Sequence, residues 1–141
     1  EKVRPYIIHR TSIGCYERTL AYLIEKYAGA FPFWLAPTQI KVLSVTDAVN
    51  NYAKNISDKL LDLGFRCELD NRNEKIGYKI RESASQKVPY NIIIGENEMN
   101  NGTISLRIRG GFSANDVNLD KFIEEVNKLN NNRDINLKTE F

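Results

Sequence analysis

The chain has 141 residues and carries 20 Lys and Arg against 18 Asp and Glu, a net charge of +2. That is the size of one ordinary domain, and the near balance of charge does not by itself announce a nucleic-acid or membrane partner. Hydrophobic residues at 42% and charged residues at 27% sit near globular averages, which excludes disorder and fibrous repeats, and no apolar run approaches the about 20 residues of a membrane helix.

In chain order, Tyr16, Leu20, Leu23, Ile24 and Tyr27 share one face of a helix expected over residues 12–28, with Thr11 or Ser12 as its cap. His9 falls in an apolar stretch before it that reads as a strand. Gly29 offers the left-handed stop, and residues 31–37 (Phe-Pro-Phe-Trp-Leu-Ala-Pro) form an apolar linker whose prolines block helix and central strand alike. Three aromatics in four residues are costly to leave in water, so this linker should pack against something. After Pro37 short apolar runs alternate with amphipathic helices, the pattern of an α/β layer fold with a mixed, mostly parallel sheet flanked by helices.

Residues 40–45 read as a buried strand. Asp47 is expected to cap a helix with the stripe Val49, Tyr52, Ala53, Ile56, Leu60 and Leu63, stopped by Gly64. Phe65, Cys67 and Leu69 alternate as a second strand, and Asn73 is the expected cap of a helix carrying Ile76, Ile80 and Ala84. Residues 90–94 give a third strand, 95–102 a polar turn, and 103–109 a fourth strand with Ile104, Leu106 and Ile108 inward and Ser105, Arg107 and Arg109 outward. A last helix uses Leu119, Phe122, Ile123, Val126 and Leu129, and the tail from Asn130 is expected to fray.

Chemistry has few candidates. Phosphate-loop glycine motifs are missing, and one His with two distant cysteines, Cys15 and Cys67, makes neither a triad nor a metal set; both thiols read as buried and reduced. Between residues 71 and 111 seven basic and four acidic residues give a mild positive bias. These residue types alone favour an ordinary surface salt-bridge cluster. The alternative is a surface that reads unpaired bases, since a carboxylate accepts the two adjacent donors of guanine, arginine grips acceptors or stacks, and an asparagine amide offers one donor and one acceptor group. The first residues, with Glu1, Lys2 and Arg4, lack a secretory leader pattern, so a cytoplasmic location is expected.

Resemblance shifts that balance. His9-Arg10-Thr11-Ser12-Ile13-Gly14-Cys15-Tyr16-Glu17-Arg18 resembles the third signature motif of class II aminoacyl-tRNA synthetases. With Phe31-Pro32-Phe33-Trp34-Leu35-Ala36-Pro37-Thr38-Gln39, the run from Arg72 to Glu82 and Val88-Pro89-Tyr90, nearly the whole chain is similar to the C-terminal part of the threonyl-tRNA synthetases. Pieces recur in prolyl, histidyl and glycyl relatives, and a prolyl or histidyl anticodon-binding domain, or a non-catalytic regulator or accessory subunit that borrows it, is the alternative.

The resemblance implies a division: residues 1–30 as the last strand and motif 3 helix of a catalytic domain, 31–37 as linker and 38–141 as an anticodon-binding domain. It implies that Asn73, Glu98 and Arg107 contact the anticodon of tRNA(Thr), with Glu98 on the middle guanine. Arg18 corresponds to an ATP-packing arginine and His9 to one zinc ligand, both serving the parent enzyme only. That parent would use zinc and ATP with Mg, act as a homodimer and ligate threonine to tRNA(Thr). The chain alone would lack motifs 1 and 2, do no chemistry, bind no cofactor and no membrane, and be a monomer. Gly, Phe and Ser stand in residues 110–115 where some relatives place basic residues, which implies weaker grip on the RNA backbone.

Overall fold

Residues 2–141 are described in the computed structural model. The first helix, α1 (Tyr16–Tyr27), is followed by a 3-10 turn at Phe33–Leu35. Then come β1 (Ile40–Ser44), α2 (Asn50–Asp62), β2 (Cys67–Asp70), α3 (Ile76–Ser85), β3 (Tyr90–Ile94), α4 (Glu96–Asn101), β4 (Thr103–Ile108), β5 (Phe112–Asn118) and α5 (Leu119–Asn132). The five strands form one sheet in the order β2-β1-β3-β4-β5. β1 pairs in parallel with β2 and β3, and β4 pairs antiparallel with β3 and β5. Four strands therefore run one way and β4 the other: the expected mixed sheet, with its pairings divided evenly between parallel and antiparallel.

The two sheet faces differ. Ile40, Val42, Tyr90, Ile92, Ile94, Ile104, Leu106 and Ile108 point to one side and are buried with residues of α2 and α5 such as Ile56, Leu60, Phe122 and Val126. Alternation sends Lys41, Leu43, Asn91, Ile93, Ser105 and Arg107 to the other side. There α3 packs over β1, and Ser83 donates its hydroxyl hydrogen to Asn91 Oδ1. Toward β4 this face opens: Arg107 is exposed and Ser105 half-buried.

Several expectations are corrected. No strand forms in residues 2–11, all of them exposed, because an isolated strand has no neighbour for its backbone N–H and C=O groups. The first helix starts at Tyr16 and none of its residues is buried; of its apolar stripe Tyr16, Leu20 and Ile24 are exposed, and Tyr27 at its end meets Phe31 with ring centroids 6.0 Å apart. Cys15 is exposed as well; Cys67 is half-buried, its thiol pushed up to about 11 by burial and in contact with the Ser57 hydroxyl at 3.6 Å. Asp47 opens a 3-10 turn, Asp47–Val49, without capping α2 through its side chain. Lys75, not Asn73, holds the N-cap position of α3, and Lys79 and Ser83, not Ile76, Ile80 and Ala84, are the buried residues of that helix. The tail does not fray: the Tyr90 hydroxyl donates to Lys138 O at 3.0 Å and accepts from Lys138 N at 2.9 Å, and the Phe141 ring packs edge-on to Tyr90 with centroids 5.9 Å apart.

The linker does pack, as its aromatics require. Phe33 is fully buried between Phe65 and Tyr90, with ring centroids at 5.9 and 5.6 Å. Four of its backbone carbonyls, and that of Ala28 just before it, are met by side-chain donors from the sheet domain. Lys87 donates to Ala28 O, Arg109 to Phe31 O at 2.7 Å, Gln39 to Phe33 O at 3.0 Å, and Arg66 to Trp34 O and Ala36 O at 2.8 Å each.

Candidate nucleic-acid interface

The parallel pairing of β1, β2 and β3 brings their C-terminal ends to one edge of the sheet. Asn73 lies exposed in the loop three residues beyond β2, and Glu98 sits on α4, just beyond β3. Because β1 separates β2 from β3, two strand spacings put these ends about 10 Å apart. Arg107 is on β4, two residues from Ser105 on the same face, about 7 Å along the strand. Ser105 in turn donates its hydroxyl to Glu98 Oε1 at 2.7 Å. Glu98 is thus tied to β4 at the end of the sheet where Asn73 lies across β1, whereas Arg107, opposite Asn91 near the start of β3, sits on the same face toward the other end.

Glu98 is held on both oxygens. Its Oε2 accepts the Gly95 N–H at 2.9 Å, closing the first turn of α4. A Cβ on Gly95 would stand 2.9 Å from that oxygen, so a larger residue there would push the Glu98 carboxylate off this bond. Burial pushes the Glu98 carboxyl up, but the Ser105 hydroxyl and the backbone N–H groups of Glu98 and Gly95 outweigh it and hold the group below the ordinary carboxylate range. With a depressed folded value, Glu98 contributes stability that is full above the unfolded carboxylate value of about 4.3 and fades as pH falls through the folded one. Urea midpoints measured from pH 7 to pH 3 should therefore drop for the wild type, and drop by less for Glu98→Gln; parallel profiles would contradict this assignment.

A second charged cluster lies under the Asn73 loop. Asp70, buried at the end of β2, accepts two hydrogen bonds from the Arg72 guanidinium, at 2.9 and 2.7 Å, and Arg72 also pairs with Glu82 of α3. The Arg72 hydrogen bond is the main cause holding the Asp70 carboxyl below its ordinary value. Lys79, 1% exposed, donates to Ser44 O at 2.9 Å and Asp70 O at 3.1 Å, tying α3 to the ends of β1 and β2. These bonds fix the loop that carries Asn73.

Arg109 leaves the group of free bases. Its guanidinium turns to the carbonyls of Phe31 and Lys87, a structural role that alternation could not reveal. Conversely, Asn91, directly opposite Arg107 in the ladder, joins the open face; its signal was a polar residue inside an otherwise apolar strand. Arg18 is exposed on α1 and His9 exposed in the irregular segment before it, both on a different part of the chain from this edge. His9 can supply one metal ligand, but among the described residues no group of three or more His, Cys, Asp and Glu is placed to hold a metal ion. Nor is any described helix long and apolar enough to cross a membrane.

Comparison with known proteins bears on the family and the fold. The family model described as "Anticodon binding domain" matches residues 39–129. Threonine–tRNA ligases of Clostridium botulinum (strain Eklund 17B / Type B) and Clostridium perfringens (strain 13 / Type A) are 54% and 51% identical over 126 residues, which is 89% of this chain and 20% of theirs. The chain thus spans about a fifth of the length of these curated relatives. Among solved structures, the RNA binding domain of threonyl-tRNA synthetase from Cryptosporidium parvum Iowa II superposes with a TM-score of 0.73 at 34% identity, covering 79% of this chain and 28% of that one. Prolyl-tRNA synthetase from Cryptosporidium parvum gives 0.61 at 17% identity, covering 69% and 21%, a likeness of fold. A matched sheet with its open β4 face, and a family model spanning most of the chain, lead to one conclusion: this chain belongs to the anticodon-binding-domain family.

Proposed function

We propose that the chain is the C-terminal part of a threonine–tRNA ligase and that it grips the anticodon loop of tRNA(Thr) through Asn73, Glu98 and Arg107. The observation that carries this is the fixed carboxylate of Glu98, bonded to Ser105 on the face of β4 that two residues further on carries the exposed Arg107. Each Glu98 oxygen accepts one hydrogen from the protein, and a carboxylate has about four acceptor sites in all. One lone pair per oxygen remains, so the two adjacent donors of a guanine edge are accepted without opening α4. Arg107 supplies charge for phosphate and a plane for stacking, and Asn73 an amide for a further base edge. Identity of about half to threonine–tRNA ligases, against 17% to the prolyl enzyme, supports the threonyl reading over the prolyl one.

In this reading residues 1–30 are the end of the catalytic domain, 31–37 the linker and 38–141 the anticodon-binding domain. The exposed apolar stripe of α1 supports that division, since a stripe of this kind is made to be covered. The longer protein would ligate threonine to tRNA(Thr) with ATP and Mg in the cytoplasm, as a homodimer, with Arg18 near ATP and His9 as one of several zinc ligands. This chain's own share is RNA binding.

The test is a titration of an anticodon hairpin by fluorescence anisotropy. Arg107→Ala is expected to weaken binding of the threonine hairpin by about 1–3 kcal/mol, and Glu98→Gln to lose discrimination at the middle base by a similar amount. Equal affinity of the wild type for threonine, proline and histidine hairpins would overturn the reading.

A further inference from the structure

Beside Arg107 a groove of about 290 Å³ runs between α3 and the tip of the β4–β5 hairpin. Ile80 and Ala84 form one wall, Asn91 the floor, Gly110 with Phe112 the far side, and the exposed Arg107 the rim. Gly110 has φ +102°, and a Cβ there would sit 3.5 Å from the Phe112 ring, so the ring rests against bare backbone while remaining 54% exposed. At the bottom, Asn91 is only 5% exposed, and with Ser83 donating into its Oδ1, its amide nitrogen has no acceptor among the described residues.

That nitrogen is not sealed from solvent and lines the groove, so it stands free to donate to an acceptor that a ligand brings. The walls carry no carboxylate or imidazole, which argues against a cation, and the single free guanidinium at the rim is too little for a phosphate cluster. An uncharged planar ring with a carbonyl acceptor on its edge fits all of these surfaces: apolar faces for Ile80 and Ala84, an aromatic ring for stacking, and an acceptor for the amide. Arg107 at the rim places positive charge where the phosphate of such a nucleotide would run.

We propose that this groove takes one unpaired nucleobase of the anticodon loop, bound through an acceptor facing Asn91 Nδ2 and stacked against Phe112. The assignment rests on the anticodon-loop reading above and adds to it a pocket and a residue pair distinct from Asn73 and Glu98.

The experiment uses the 141-residue chain and a threonine anticodon hairpin in which each loop base is removed in turn. Binding is measured for the wild type, for Phe112→Ala, and for Ala84→Phe, which fills the groove from an exposed helix position. Loss of one stacked base is expected to weaken wild-type binding about tenfold. At that one loop position the penalty should fall below about twofold in both variants, while penalties elsewhere persist, which is the non-additivity of a shared contact. Unchanged penalties at every position in both variants would overturn the groove assignment and leave the anticodon reading standing. A wild type that binds the threonine hairpin no better than one with an unrelated anticodon would overturn both.

Discussion

Lys79→Met is expected to destabilise the fold by about 3 kcal/mol, the low end of what removing one partner from a buried charged cluster costs. Methionine keeps the volume but strands the carbonyls of Ser44 and Asp70, which now accept from the ammonium at 2.9 and 3.1 Å. Asp70 keeps Arg72, so its carboxylate is not left alone. Burial lowers the proton affinity of Lys79, the nearby Asp70 carboxylate raises it, and the net direction is down. Desolvation of the charge thus offsets part of the gain, which is why the low end is expected. Urea unfolding followed by far-UV circular dichroism measures it; a neutral result would show that the apolar isostere serves as well and that the carbonyls find water.

Phe33→Ala should cost about 3–5 kcal/mol, the range for deleting a buried aromatic ring. The ring lies fully buried against Phe65 and Tyr90, and those partners belong to the sheet domain and not to the linker itself. Collapse into the cavity is limited, because the Phe33 carbonyl is pinned by Gln39, which is itself bonded to Asn130 of α5. Phe31→Ala, at a half-buried position, should lose clearly less. Thermal melts of both variants check the order, and a loss at Phe33 no greater than that at Phe31 would show that the linker is not part of the core. Out of a total stability of about 5–15 kcal/mol, the Phe33 loss would leave a marginal domain.

Much of this fold can be read from spacing. β1, β3 and β4 are short apolar or alternating runs, α2 and α5 carry clean stripes, and each of these forms close to its expected bounds. β5 escapes because its sequence, Phe-Ser-Ala-Asn-Asp-Val-Asn, contains a register shift where Asp116 adopts φ +55°, so Ala114 and Val117 no longer alternate. α4 escapes because five polar residues and a single apolar one, Met99, offer no stripe; what closes its first turn is the Glu98 bond to Gly95, a local contact without periodicity. Lys79 reads as solvated on any helical wheel, and only the carbonyls at the ends of β1 and β2 explain its burial.

The candidate site divides in the same way. Ser105 and Arg107 share a strand face by simple alternation, but Asn73 and Glu98 drew their significance from resemblance, since neither stands out by composition. That Glu98 also holds α4 together could not be seen without the partner atoms. The groove was equally hidden: it needs Asn91, Ala84 and Phe112 from three segments that only the antiparallel pairing of β3, β4 and β5 brings side by side.

The clamping of residues 28–36 fixes the bearing of α1. Lys87, Arg109, Gln39 and Arg66 grip the carbonyls of Ala28, Phe31, Phe33, Trp34 and Ala36, so the segment behaves as a stiff bracket and not as a swivel. Arg109 stands two residues from Arg107, so the strand proposed to meet an RNA hairpin and the bracket share one short piece of backbone. Whatever polypeptide precedes Tyr16 would then receive that hairpin at one angle and one reach, set before the two molecules meet.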